Sequence, residues 1–161
     1  MVEDPIKLGY PDWGRGSIGE DDWIAIKTIM DFCNVKTVLE IGIGLSTLLL
    51  MQNCEKLDGY DTLGRHLEWM KTKVNGNVTL TKWGGKTPME IKNHYDMAFI
   101  DGPTGAKLRK PSFKSAYGHC KVLAIHDCGY IWNDVWRFEI DPEEKYKVIW
   151  PGGRFSAWVM R

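Results

Sequence analysis

The chain has 161 residues, 43% of them hydrophobic, and no net formal charge, with 21 Lys and Arg balancing 21 Asp and Glu. That is one domain by length, ordinary in composition, without the basic excess that drives non-specific nucleic-acid binding. The longest apolar run, Leu48 to Met51, is far too short to cross a bilayer, and Cys33, Cys54, Cys120 and Cys128 form no Cys-x-x-Cys pair, which sets aside zinc ribbons and thioredoxin-type redox sites.

Residues 1–16 are rich in Gly, Pro and Asp and form an irregular arm. They show neither a basic flank nor an apolar stretch, so the expected location is cytoplasmic, with reduced thiols. Ser17 and Glu20 have capping-box spacing, and Trp23, Ile26, Ile29, Met30 and Phe32 follow at helical period, predicting a helix from Ile18 to Cys33. Thr37–Ile41 is a short buried strand, Ser46–Asn53 a helix, Lys56–Asp61 a second strand and Leu63–Val74 a helix. Asn77–Thr81 is a third strand, Thr87–Asn93 a short helix with Pro88 near its start, and Tyr95–Ile100 a fourth strand. Residues 112–119 are helical and Lys121–Ile125 is a fifth strand. Tyr146–Trp150 and Ser156–Met160 flank a five-residue loop and close the chain as a hairpin. Alternation of this kind predicts an α/β domain over residues 1–161, with five parallel strands wrapped by helices and a C-terminal antiparallel hairpin. Ligands of such sheets bind beyond the carboxyl ends of the strands.

The first tip is Glu40-Ile41-Gly42-Ile43-Gly44-Leu45-Ser46, and the second ends on Asp61, 19 residues after Gly42. A dinucleotide fingerprint shares these features, but its third glycine would fall on Thr47, and Glu40 would repel a pyrophosphate. Glu40-x-Gly42-x-Gly44 with Asp61 and the terminal hairpin resembles the class I S-adenosylmethionine-dependent methyltransferases over about residues 18–161. The resemblance implies a Rossmann-like doubly wound sheet. It also implies that Glu40, Gly42, Gly44 and Ser46 hold the methionine end of S-adenosylmethionine, that Asp61 holds the ribose, and that Trp83 and Asp101 flank the remainder.

The fourth tip is Asp101-Gly102-Pro103-Thr104-Gly105 and the fifth His126-Asp127. Asp101 and Asp127 on neighbouring strands are candidate ligands for magnesium (Mg2+), as in the metal-dependent O-methyltransferases they resemble. The stretch Ile100–Gly105 with His126-Asp127 is also similar to plant glucuronoxylan O-methyltransferases. His126 is the candidate general base, assisted by Asp127 and Asp101. His66, His94 and His119 lie away from the tips and are expected to be structural. The basic stretch Lys107–Lys114, with Arg109 suited to carboxylates, would meet an anionic acceptor, unless the acidic segment 134–147 neutralises it. Trp13, Tyr130, Trp132 and Trp136 would wall a ring-bearing one. The leading expectation is methyl transfer to the oxygen of a small molecule, by a homodimer, with no nucleic-acid or membrane partner. A cofactor-binding module without catalysis and a nicotinamide-dependent oxidoreductase are the rivals.

Overall fold

The computed structural model describes residues 5–10, 18–103, 106–127, 145–149 and 155–160. A short 3-10 turn, Pro5–Leu8, precedes α1 (Glu20–Phe32), β1 (Thr37–Ile41), α2 (Leu45–Met51), β2 (Lys56–Asp61), α3 (Gly64–Lys71) and β3 (Val78–Lys82). Then come β4 (Tyr95–Ile100), α4 (Ala106–Ala116), β5 (Cys120–His126), β6 (Lys145–Ile149) and β7 (Phe155–Met160). The seven strands form one sheet in the order β3-β2-β1-β4-β5-β7-β6. β1 to β5 are parallel, and β7 runs antiparallel to both β5 and β6. The predicted strand pair is therefore present, while most of its connecting loop, 150–154, lies outside the described residues.

β1, β4 and β5 are buried almost throughout, as strands covered on both faces must be. Side chains alternate between the faces. Val38, Met97, Phe99, Val122 and Ala124 meet α1 and α2 on one face. Leu39, Ile41, Ala98, Ile100, Leu123 and Ile125 meet Phe113 and Ala116 of α4 on the other. α1 buries Trp23, Ala25, Ile26, Ile29 and Met30, the stripe its sequence carries.

Three local expectations need correcting. α1 begins at Glu20 with Gly19 as N-cap, whose N–H donates to Asp22 Oδ2 at 2.9 Å, while Ser17 lies outside the described residues. The helix expected over Thr87–Asn93 does not form. Tertiary partners take the groups it would use: Trp83 Nε1 donates to the Thr87 carbonyl at 3.0 Å, and the Met89 N–H donates to Ser115 Oγ at 2.8 Å. The basic stretch is not a loop before a helix at 112. It is the first part of α4, which starts at Ala106 and carries Pro111 inside it, giving up one backbone bond there.

The strand order reverses between β1 and β4, which is where an open sheet of this kind splays its tips and leaves a crevice.

Candidate functional site

The crevice is built on two glycines that touch. Gly42 has φ +94°, and a Cβ on it would lie 2.3 Å from the Gly102 nitrogen. The Ile41 carbonyl accepts the N–H groups of both Asp101 and Gly102 at 2.8 Å, stitching the β1 tip to the β4 tip. Gly42 is thus demanded by backbone packing as well as by the turn. Gly44 is different. Its φ of −175° is ordinary extended backbone, and the atom nearest a Cβ there is the Tyr10 hydroxyl at 3.5 Å.

A cleft of about 430 Å³ opens over these tips, lined by Ile41–Leu45, Tyr60–Leu63, His66, Trp83 and Asp101–Pro103. Asp61 is one of the residues lining it. Its Oδ2 accepts the Ile43 N–H at 3.1 Å, its Oδ1 the Leu63 N–H at 2.7 Å, and His66 Nδ1 lies 3.7 Å from Oδ2. Burial works against this carboxylate's charge, but His66 and the two backbone amides outweigh it and hold its pKa below the usual range. Asp61 therefore ties the glycine turn to the start of α3 and still faces the cleft. Trp83 walls the far side.

Glu40 and Ser46 do not face the cleft. Glu40 is 0% exposed, on the α1–α2 face of β1, where Ser46 Oγ donates to its Oε1 at 2.5 Å. Among the described residues its Oε2 has no partner at hydrogen-bond geometry. Burial lifts its pKa to about 8, with the hydrogen bonds from Ser46 and Thr47 only partly offsetting the effect. It is a neutral acid beneath the turn at neutral pH, and neither it nor Ser46 lines the cleft, so the expected hold of these two residues on the methionine end would act through the turn. The argument that Glu40 repels a pyrophosphate fails. What still separates the turn from a dinucleotide fingerprint is Thr47, whose Oγ1 accepts the Gly44 N–H at 2.9 Å.

At the β5 tip, His126 is 1% exposed. Its Nδ1 lies 2.7 Å from Asp101 Oδ1, and its Nε2 lies 3.0 Å from Asp22 Oδ2, a residue of α1 that the sequence did not bring forward. Each ring nitrogen thus faces a carboxylate oxygen, an arrangement that suits two donating N–H groups, as in an imidazolium. Burial opposes this charge, but the bonds to Asp101 and Asp22 and the field of Asp101 and Asp127 outweigh it and raise the pKa to about 9. A ring held in the protonated state works against the expected role of His126 as general base. Asp127, at φ +58°, turns the chain away from the strand with its Oδ2 3.7 Å from Nδ1.

Arg109 does not reach toward an acceptor either. It is 2% exposed and clamps the two tips from below, donating to the carbonyls of Pro103 at 3.0 Å, Ile100 at 3.2 Å and His126 at 3.4 Å.

No family model matches the chain, and no curated protein does. Solved structures do. A Staphylococcus aureus protein provisionally assigned as a caffeoyl-CoA O-methyltransferase superposes with TM-score 0.70 over 86% of this chain and 82% of its own, at 16% identity. The S-adenosylmethionine-bound amino pentose methyltransferase of Micromonospora echinaspora matches with TM-score 0.58 over 78% of this chain and 57% of its own, at 13% identity. A Pyrococcus horikoshii protein provisionally assigned as an RNA methyltransferase matches with TM-score 0.67 over 97% of this chain and 94% of its own, at 10% identity. The fold is that of the class I S-adenosylmethionine-dependent methyltransferases. Three neighbours with three acceptor classes show that the class I methyltransferase fold does not itself name an acceptor.

Asp101, His126 and Asp127 bring three ligand-capable atoms within 4.8 Å of one another. The set does not fit magnesium as it stands. That ion takes an octahedron of oxygens, whereas here the central group is a ring nitrogen that already lies in hydrogen-bond contact with Asp101 Oδ1 at 2.7 Å. His66, expected to be structural, lines the cleft and stacks on Trp69 at 5.9 Å. The signal that could have found it is its place in the first turn of α3, the helix that follows the Asp61 tip. Asp22 carries no comparable signal, since only the fold brings it to a residue 104 positions away. Trp13, Thr104, Gly105, Cys128, Tyr130, Trp132, Trp136 and the acidic segment 134–144 lie outside the described residues.

Proposed function

We propose that this chain is a single-domain, S-adenosylmethionine-dependent methyltransferase acting on the oxygen of a small-molecule acceptor. The observation that carries the reading is Asp61: an ionised carboxylate at the β2 tip, facing a cleft between the glycine turn and Trp83 in a class I methyltransferase fold. Bound S-adenosylmethionine supplies a methyl group already activated on a sulfonium. The protein's work is then placement, which lowers the entropic part of the barrier.

Asp61 keeps acceptor capacity beyond its two backbone bonds, because a carboxylate has about four lone-pair sites, and this suits it to vicinal ribose hydroxyls. Trp83 and Leu63 offer apolar walls to a purine. The open edge of Gly44 receives the amino-acid end. Asp101 and Asp127 crown the β4 and β5 tips, where an acceptor hydroxyl would approach. With His126 already protonated, the hydroxyl proton passes to a carboxylate of this pair, and we assign that role to Asp127.

Calorimetric titration with S-adenosylmethionine, S-adenosylhomocysteine and NAD tests the reading. One-to-one binding of the first two in the micromolar range, without NAD binding, is the expected result. Binding of NAD alone would replace the proposal with an oxidoreductase. Binding of S-adenosylmethionine with no transfer across an acceptor panel would reduce it to a cofactor-binding module.

A further inference from the structure

The two carboxylates at the β4 and β5 tips are placed as if to share a cation, and one is already between them. His126 Nδ1 lies 2.7 Å from Asp101 Oδ1 and 3.7 Å from Asp127 Oδ2. The ring cannot swing aside, because Nε2 is held at 3.0 Å by Asp22, itself pinned by the Gly19 N–H at the start of α1. Among the described residues, the charged groups facing the ring are Asp22 on α1, Asp101 after β4, Asp127 after β5 and Arg109 on α4, whose Nη1 reaches the His126 carbonyl. A divalent ion would have to strip the Nδ1 proton or sit beside a buried positive ring, and both are unfavourable at these distances.

We propose that the imidazolium of His126 is the resident cation of the β4–β5 tips, neutralising Asp101 and Asp127 from within the fold so that they take no divalent metal. The site thus departs from the magnesium-dependent pattern its acids suggest. Asp22 is the residue that makes the departure, since it holds the second ring nitrogen. On the proposed methyltransferase reading, transfer then runs unchanged in the presence of a chelator.

The test needs neither acceptor nor cofactor. The chain has four histidines, so nitrogen-15 spectra of the ring nitrogens can be assigned with variants at His66, His94 and His119. At neutral pH, both His126 nitrogens are expected in the protonated range and unmoved by millimolar magnesium. Calorimetry is expected to show no magnesium or manganese binding by wild type. His126→Gln should bind manganese at least about tenfold tighter than wild type, because removing one unit charge a few ångströms from the ion is worth more than that, and adding Asp101→Asn should abolish the gain.

A bare His126 nitrogen at neutral pH overturns the proposal. So does one-to-one magnesium binding by wild type that Asp101→Asn abolishes, and so does a folded His126→Gln with no gain in metal affinity. If His126→Gln fails to fold, the wild-type spectra decide alone. S-adenosylhomocysteine titrated into the same samples separates the two proposals: its failure to bind removes the methyltransferase reading and leaves the ring spectra to judge the cation.

Discussion

Glu40 and Asp61 sit at the tips of adjacent strands and are held in opposite states. Among the described residues, Glu40 has one oxygen on Ser46 and the other without a partner at hydrogen-bond geometry, so burial dominates and its carboxyl stays protonated up to about pH 8. Gln has the shape of that neutral form. Glu40→Gln is therefore expected to fold, to keep cofactor affinity within about threefold, and to be more stable than wild type at neutral pH. Urea denaturation and calorimetry check this, and a tenfold loss of affinity would return Glu40 to the cleft. Asp61 is the reverse case, an anion satisfied by two backbone amides. Asp61→Ala would orphan both, each costing about 1–3 kcal/mol if left unmet, so loss of binding in that variant would be ambiguous. Asp61→Asn retains one acceptor oxygen. Its expected phenotype is cofactor affinity reduced by about tenfold or more, the scale of a charge-assisted hydrogen bond, with a melting temperature close to wild type.

At the scale of elements, the turn between β1 and α2 separates two glycines that look equivalent in the motif. Gly42→Ala would place a Cβ inside the β4 tip at a φ that side chains rarely adopt. It should destabilise the protein by several kcal/mol, on the order of the largest single-substitution effects. Gly44→Ala meets only the Tyr10 hydroxyl at ordinary contact distance, so its melting temperature should barely move. If the cofactor lies against the turn, Gly44→Ala will nonetheless weaken binding; unchanged affinity would mean that the turn is open to solvent there. The far end of the sheet is pinned separately. Asp96 Oδ2 accepts the N–H groups of Lys36 and Thr37 and the Thr37 hydroxyl, and its Oδ1 pairs with Lys121, joining the starts of β1, β4 and β5.

For the whole molecule, these groups set the pH dependence of stability. Glu40 titrates near 4.5 when unfolded and about 8 when folded, so stability falls as pH rises through that window. His126 moves from 6.5 to about 9, so its contribution is full below 6.5 and lost as pH rises toward 9. Asp96 opposes them at the acid end. Burial works against its anion, but Lys121 and the amides hold its pKa at about 2, so its contribution is present above 3.8 and lost below. Stability should therefore peak on the acid side of neutrality and decline toward pH 9. Glu40→Gln should flatten the lower part of the decline, and Asp22→Asn the upper part. Chemical denaturation across pH measures both slopes. No helix among the described residues is long and apolar enough to cross a membrane.

The strands, their order of alternation, the glycine turn and the acid at the β2 tip are legible in the chain itself, because each depends on neighbours within a few residues: short runs of apolar and β-branched residues, turn glycines and a carboxylate closing a strand. Tertiary structure alone decided the rest. It brought Gly102 against Gly42, turned Glu40 under the sheet and drew Arg109 beneath the tips. It also set Asp22 against His126. The physical reason is one of range. Backbone conformation is biased locally, whereas a side chain's charge state is set by burial and by whichever groups the fold delivers within a few ångströms, here from 104 residues away.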